Sequence, residues 1–290
     1  MKKIIYTLLL FFSVSTYAQF KNFKIQYEVK ATKSTKHNPN IENFILYYTP
    51  QKSLFINQNR VISSHLFSAY ISKIKTAAKI KSVNENSDVV EIKMDASAPE
   101  MQEINKYKYK NKWVIEKDFK NRSLTLQDKA FMSVIKYTQP LPSFQWKLQD
   151  STKEILGFKL NQAKLHYKGR NYTAWYSPEI QIPDGPYKFW GLPGLIMEIY
   201  DDKDEYHFLI KGIEEMKEEF PKDYFIMKSG LIPLIITTEA KFRKDFERTY
   251  NINNVLGNAV IIGQDRDEYA RERIEKIKQK YNNPIERENK

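Results

Sequence analysis

Apolar and polar residues alternate along much of this chain, the period of a strand with one buried face. Phe23, Ile25, Tyr27 and Val29 alternate with Lys24, Gln26, Glu28 and Lys30. After the Asn38-Pro39-Asn40 turn, Phe44 to Tyr48 and Ser53 to Ile56 read as two strands joined by a tight Thr49-Pro50-Gln51-Lys52 loop. From Arg60 the period lengthens, and Val61, Ile62, Leu66, Ala69, Tyr70, Ile74, Ala77 and Ala78 recur at three- and four-residue spacing, which predicts a helix to Lys81. Short strands are then expected at 89–94, 106–110, 113–119, 123–126 and 130–137, with a further one at 143–149 after the Pro140-Leu141-Pro142 break. Thr237-Thr238-Glu239-Ala240 opens a helix to about Arg248, and Asp265 to about Tyr281 reads as a charged surface helix. The segment 225–238, apolar around Leu231 to Ile236 but broken by Pro233, reads as core. The pattern predicts a mainly β (α+β) chain, an antiparallel curved sheet or partly open barrel with added helices.

The stretch from Leu156 to Asp202 is the most specified. Phe158 to Tyr167 and Arg170 to Tyr176 form a predicted hairpin with Lys168-Gly169 as its two-residue turn. Beyond Asp184-Gly185-Pro186, the hexapeptide Gly191-Leu192-Pro193-Gly194-Leu195-Ile196 sets a bend, since glycine permits positive φ and proline fixes φ and removes a donor. The bend delivers 195–200 into a strand that turns at Asp201 to Asp204 and returns through 206–213. The hexapeptide reads either as a sheet corner whose Leu and Ile fill core, or as a rigid loop beside a ligand cleft with Phe189 and Trp190 as aromatic anchors. It lacks both nucleotide-loop spacings.

These segments resemble the GLPGLI family of exported Bacteroidetes-type proteins, on Gly169-Arg170-x-Tyr172-x-Ala174-Trp175-Tyr176, Asp184-Gly185-Pro186-x-Lys188-Phe189 and the hexapeptide itself. The resemblance implies a cell-envelope setting and no reaction. Where that family often carries a cysteine in a Gly-Tyr-x-Cys-x-Lys-Ala segment, this chain has Leu160 within Gly157 to Ala163.

Lys2-Lys3, an apolar run from Ile4 to Val14, and Thr16-Tyr17-Ala18 read as a secretory signal peptide over residues 1–18, cut near Ala18. The remainder, 19–290, is expected to be one β-rich domain, helical from about residue 237, soluble in the periplasm or secreted, and without a transmembrane segment. With no cysteine in the chain, lipoprotein anchoring, disulfides and thiolate chemistry are excluded. Net charge falls from +12 to +10 once Lys2 and Lys3 leave, which reads either as general solubility, the lysines being spread along strand exteriors rather than stacked in one run, or as a match to an anionic envelope surface rather than nucleic acid.

Candidate chemistry is sparse. His37, His65, His166 and His207 show no zinc-helix spacing, although His166 and His207 lie on predicted strands that could converge. Asp201-Asp202-x-Asp204-Glu205 lacks the spacing of the calcium loop and reads first as a hairpin turn. No nucleophile elbow or Ser-x-x-Lys occurs. Arg170 is the favoured anionic contact, or else takes a salt-bridging or carbonyl-binding role in the corner, with Asp184 as a partner. Trp175, Tyr176, Phe189 and Trp190 are either an aromatic ligand wall or core. The reading is a non-catalytic binding protein for a peptide, apolar ligand or envelope partner, with no metal or cofactor; a periplasmic hydrolase of uncommon constellation and an assembly scaffold are the alternatives.

Overall fold

A computed structural model describes residues 22–32, 38–81, 95–130, 133–217, 219–221 and 234–248, and beyond them 268–269, 271–272, 274–275 and 284–286. The predicted signal peptide, the 89–94 strand and His37 lie outside these residues.

Six strands come first: β1 (Phe23–Ala31), β2 (Asn40–Tyr48), β3 (Lys52–Asn57), β4 (Val114–Asp118), β5 (Ser123–Ala130) and β6 (Ser133–Pro140). Helices α1 (Gln58–Lys81) and α2 (Pro99–Lys106) interrupt them between β3 and β4. A second meander follows as β7 (Lys147–Ile155), β8 (Phe158–Tyr167), β9 (Arg170–Ser177), β10 (Leu195–Asp201) and β11 (Tyr206–Glu215). Strand β12 (Leu234–Ile236) and helix α3 (Glu239–Arg248) close the series. The twelve strands among the described residues join one curved, unclosed sheet in the order β12-β6-β5-β4-β3-β2-β1-β11-β10-β9-β8-β7. The two meanders meet where β1 pairs antiparallel with β11. The sheet is mixed only because β12 runs parallel to β6.

Alternation sets the two faces. Ile25, Tyr27, Val29, Phe44, Leu46, Phe55, Ile115 and Leu126 point to the main core, which continues onto β8 to β11. On the opposite face Ile45, Tyr47, Leu54, Ile56 and Val114 form a smaller core under Val61 of α1 and Met216. Both faces of β2 are therefore buried over residues 44–48, which is why that run is continuously apolar.

Three sequence expectations are corrected. Residues 106–110 are not a strand: α2 ends there, and the Glu42 carboxylate takes the backbone N–H of Lys110 at 2.6 Å and of Asn111 at 2.9 Å, which removes those donors from any ladder. The 143–149 strand begins only at Lys147, because Phe144 and Trp146 turn in against Phe189, with ring centroids 6.0 and 6.5 Å away. In the 225–238 segment, the described residues Leu234 and Ile236 are 41% and 68% exposed on an edge strand rather than core.

Candidate functional site

The hairpin forms as the sequence expects. Tyr167 pairs with Arg170, and Lys168 and Gly169 turn the chain at φ 47° and 71°. Residues 178–194, between β9 and β10, then leave the sheet and pack as a plug on the face that carries the main core, with Ile182, Tyr187, Phe189 and Leu192 part of that core. Leu195 N–H donates to Ile180 O at 3.1 Å, Gly191 N–H to Pro183 O at 2.9 Å, and Ile196 N–H to Asp184 O at 3.0 Å, so the corner hydrogen-bonds to itself. A methyl group on Gly194, at φ 147°, would lie 2.0 Å from Ser177 O. A side chain at Gly185 would meet Ile196 Cβ at 2.7 Å. Gly191, at φ 88°, has open space, so there glycine serves conformation alone.

Two buried lysines pin the plug. Lys117, on the inner face of β4, donates to Gly185 O at 2.7 Å and Phe189 O at 3.2 Å and pairs with Asp184, both side chains being fully buried. Burial pushes the Lys117 ammonium below its usual range, against the pull of Asp184. Across the same interior Tyr27 donates to Ile196 O at 2.7 Å. Burial, with Asp184 adding to it, raises the Tyr48 phenol to about 12. The second lysine, Lys188, donates to Tyr137 Oη at 2.6 Å and lies 3.4 Å from Glu239 and 2.5 Å from Glu286. Burial opposes its charge, but Glu286, Tyr167 and Glu239 hold its pKa above the ordinary value.

At the rim beside Lys188 sits Arg170, buried by 98% and paired with Asp201 at 2.5 Å and Glu205 at 2.6 Å. Burial works against its charge and these carboxylates outweigh it. Its guanidinium lies 4.8 Å over the Tyr206 ring. Residues 284–286 are seated on this rim. Pro284 O accepts from Arg170 Nη2 at 2.8 Å, Ile285 O accepts from Tyr172 Oη at 3.1 Å, and Glu286 Oε1 accepts from Tyr187 Oη at 2.8 Å. The Ile285 side chain enters the main core.

Of the residues singled out in the sequence, Arg170 reaches a peptide segment and two acids, but not Asp184, which belongs to Lys117. The four aromatics do not form one wall. Phe189 is fully buried, with the rings of Tyr172, Tyr187 and Phe208 at 4.8, 6.1 and 6.4 Å. Tyr176 is buried on the inner face of β9, and adjacent Trp175 points to the other face under Lys153, 4.5 Å over its ring. Trp190, half-buried, donates to Pro142 O at 2.7 Å. Pro186 accepts from Phe189 N–H across a turn with Tyr187 at φ 55°; Leu192, Leu195 and Ile196 are core, and Pro193 is exposed between the glycines.

His166 and His207 do not converge: β9 and β10 separate their strands, roughly 14 Å at about 4.8 Å per strand. His166 Nδ1 contacts Asn171 at 2.8 Å. His207 lies between Glu198 at 2.8 Å and Asp204 at 3.0 Å. Asp201 and Glu205, candidates for calcium, are engaged by Arg170. Among the described residues no group of three or more His, Asp or Glu side chains is placed so that it could hold a metal ion.

Sequence reasoning gave no role to Lys117, Tyr187 or Tyr137, nor to Lys188, which it named only as part of a motif. Their one signal is position: Lys117 continues the inward alternation of Trp113 and Ile115, and Lys188 sits between two aromatics.

One family model matches, over residues 166–198, that of a protein of unknown function called Porph_ging. No curated protein matches. Two solved crystal forms of PNGF-II align with 78% and 79% of this chain at 15% and 13% identity, with TM-scores of 0.47 and 0.48. The match covers 33% of each PNGF-II chain, so this chain spans about a third of their length.

Proposed function

We propose that this protein is an exported, non-catalytic interaction protein of the cell envelope, of the GLPGLI type, which holds a peptide or envelope partner rather than enclosing an apolar ligand. The filled interior carries this reading. A curved sheet could take an apolar ligand on its concave face, but here Tyr187, Phe189 and Leu192 of the chain's own plug occupy that space and join one core with the strands. Recognition is left to the rim, where Arg170 and Lys188 present charge held in place by their own partners. The basic, cysteine-free chain behind Lys2-Lys3 and its apolar run suits release into the periplasm or medium after cleavage near Ala18, among anionic envelope surfaces.

The test is cross-linking in the native envelope, then purification of the mature chain, native mass spectrometry, and lipid extraction. A protein cross-linked at a fixed ratio, with no bound lipid, is expected. A small apolar molecule recovered at about one per chain would overturn this binding mode, because it would require the plug to leave the interior.

A further inference from the structure

We infer that the rim of Arg170, Tyr172, Tyr187 and Lys188 is a binding site for a short peptide in which an aliphatic residue is followed by an acidic one, and that residues 284–286, bent at Ile285 and Glu286, fill it in cis until such a segment from a partner displaces them. The inference rests on the interaction-protein reading above and gives that protein a site and a ligand chemistry.

The chemistry of the contacts defines the ligand. Two are to main-chain carbonyls, those of Pro284 and Ile285, which any peptide offers. One is an aliphatic side chain: Ile285 is 6% exposed and lies among the main-core residues. The last is a carboxylate on the next residue, Glu286, held by the Tyr187 hydroxyl and the Lys188 ammonium. A lysine or arginine at this last position would face Lys188 and be rejected by like charge.

The receiving groups are organised without the segment. Arg170 is fixed by Asp201 and Glu205, Lys188 by Tyr137 and Glu239, and Tyr172 and Tyr187 by packing on the rings of Phe189 and Phe208. Preorganisation of this kind lowers the cost of taking up a new ligand. The segment is less enclosed than its seat, since the Glu286 side chain is 21% exposed where that of Lys188 is fully buried. A competing segment therefore meets the carboxylate end first.

The probe is a fluorescein-labelled peptide with the sequence of residues 282–287, Asn-Asn-Pro-Ile-Glu-Arg, titrated by anisotropy into the full chain. Ile285→Asp should empty the site and bind the peptide, whereas the wild type binds at least about ten-fold more weakly because its competent fraction is small. If Ile285→Asp does not fold, Glu286→Lys retains the aliphatic anchor and should give a smaller gain in the same direction. A control peptide carrying the Glu286→Lys change should bind no form. Failure of every folded variant to bind at millimolar peptide would make the segment a structural clamp and end the inference, although a cross-linked envelope partner would still support the proposed function. Equal binding by the wild type and both variants would place the peptide elsewhere and also end it. Binding confined to the variants, with no envelope partner captured, would retain the site and remove the envelope reading.

Discussion

Lys117→Met tests whether the plug is held by a buried charge. The substitution keeps the length of the side chain and removes the ammonium. It leaves Asp184 as a fully buried carboxylate without its cation, and takes a donor from Gly185 O and Phe189 O. Breaking one side of a buried ion pair costs about 3–5 kcal/mol. Against a whole-protein stability of roughly 5–15 kcal/mol, that is a third or more for many domains. With a urea m-value of about 3 kcal/mol/M, the unfolding midpoint should fall by roughly 1–1.7 M.

The double variant Lys117→Met/Asp184→Leu separates the pair from the carbonyls. With both charges gone the uncompensated carboxylate disappears, and an apolar pair can match or exceed an ion pair in stability. The two carbonyls still lack that donor, each at about 1–3 kcal/mol if nothing else reaches them. The double variant should therefore be more stable than Lys117→Met alone, and the two single effects should not add. A midpoint shift under about 0.3 M for Lys117→Met, or strict additivity in the cycle, would refute the argument.

Gly194→Ala and Gly191→Ala form a matched pair. The first forces a methyl group to within 2.0 Å of Ser177 O and should cost roughly 3 kcal/mol or more, while the second, with open space, should cost about 1 kcal/mol from its positive φ alone; thermal denaturation reads both. Glu198 governs part of the acid stability. Burial raises its pKa, but His207 and Lys153 outweigh burial and leave it below the ordinary 4.5. A depressed carboxylate stabilises the fold above its unfolded pKa and loses that contribution as pH falls through the native value. Glu198→Gln should thus be less stable than wild type at pH 7, and the difference should shrink below pH 4.5, as followed by urea midpoints across pH.

The strands were legible wherever one face meets the core and the other meets water, as in β1, where Ile25, Tyr27 and Val29 are buried between half-buried neighbours. The Lys168-Gly169 turn was legible because few residue pairs accept two positive φ values. Phe144 and Trp146 misled because an alternating aromatic pair looks the same in a strand as in a loop whose side chains fill a gap. Residues 106–110 misled because the side chain that claims the backbone donors of Lys110 and the adjoining Asn111, Glu42, is more than 60 residues away. The site was half legible. Arg170 stood out beside a glycine turn, but its partners lie on the other side of the plug and over 100 residues away at Pro284. Lys117 fits the inward parity of β4, yet a lysine at such a place reads as solvent-facing because burial of its charge needs a partner that alternation does not reveal.

Plug and segment should differ in how they open. Amides of the plug and of the start of β10 donate to plug carbonyls, as Gly191 to Pro183 and Ile196 to Asp184, under fully buried Asp184, Lys117 and Phe189. Their exposure requires moving two buried lysines and a shared aromatic core, so they should exchange hydrogen only on near-global unfolding. Residues 284–286 are held from outside, through carbonyls and side chains, and their release leaves the sheet, the plug and the Arg170 pairs with Asp201 and Glu205 in place. Native-state hydrogen exchange should show the amides of Ile285 and Glu286 at least about 100-fold less protected than those of Gly191 and Ile196. Equal protection would mean that the segment and the plug open as one unit, and a site that can open only by unfolding the molecule could not exchange one peptide for another.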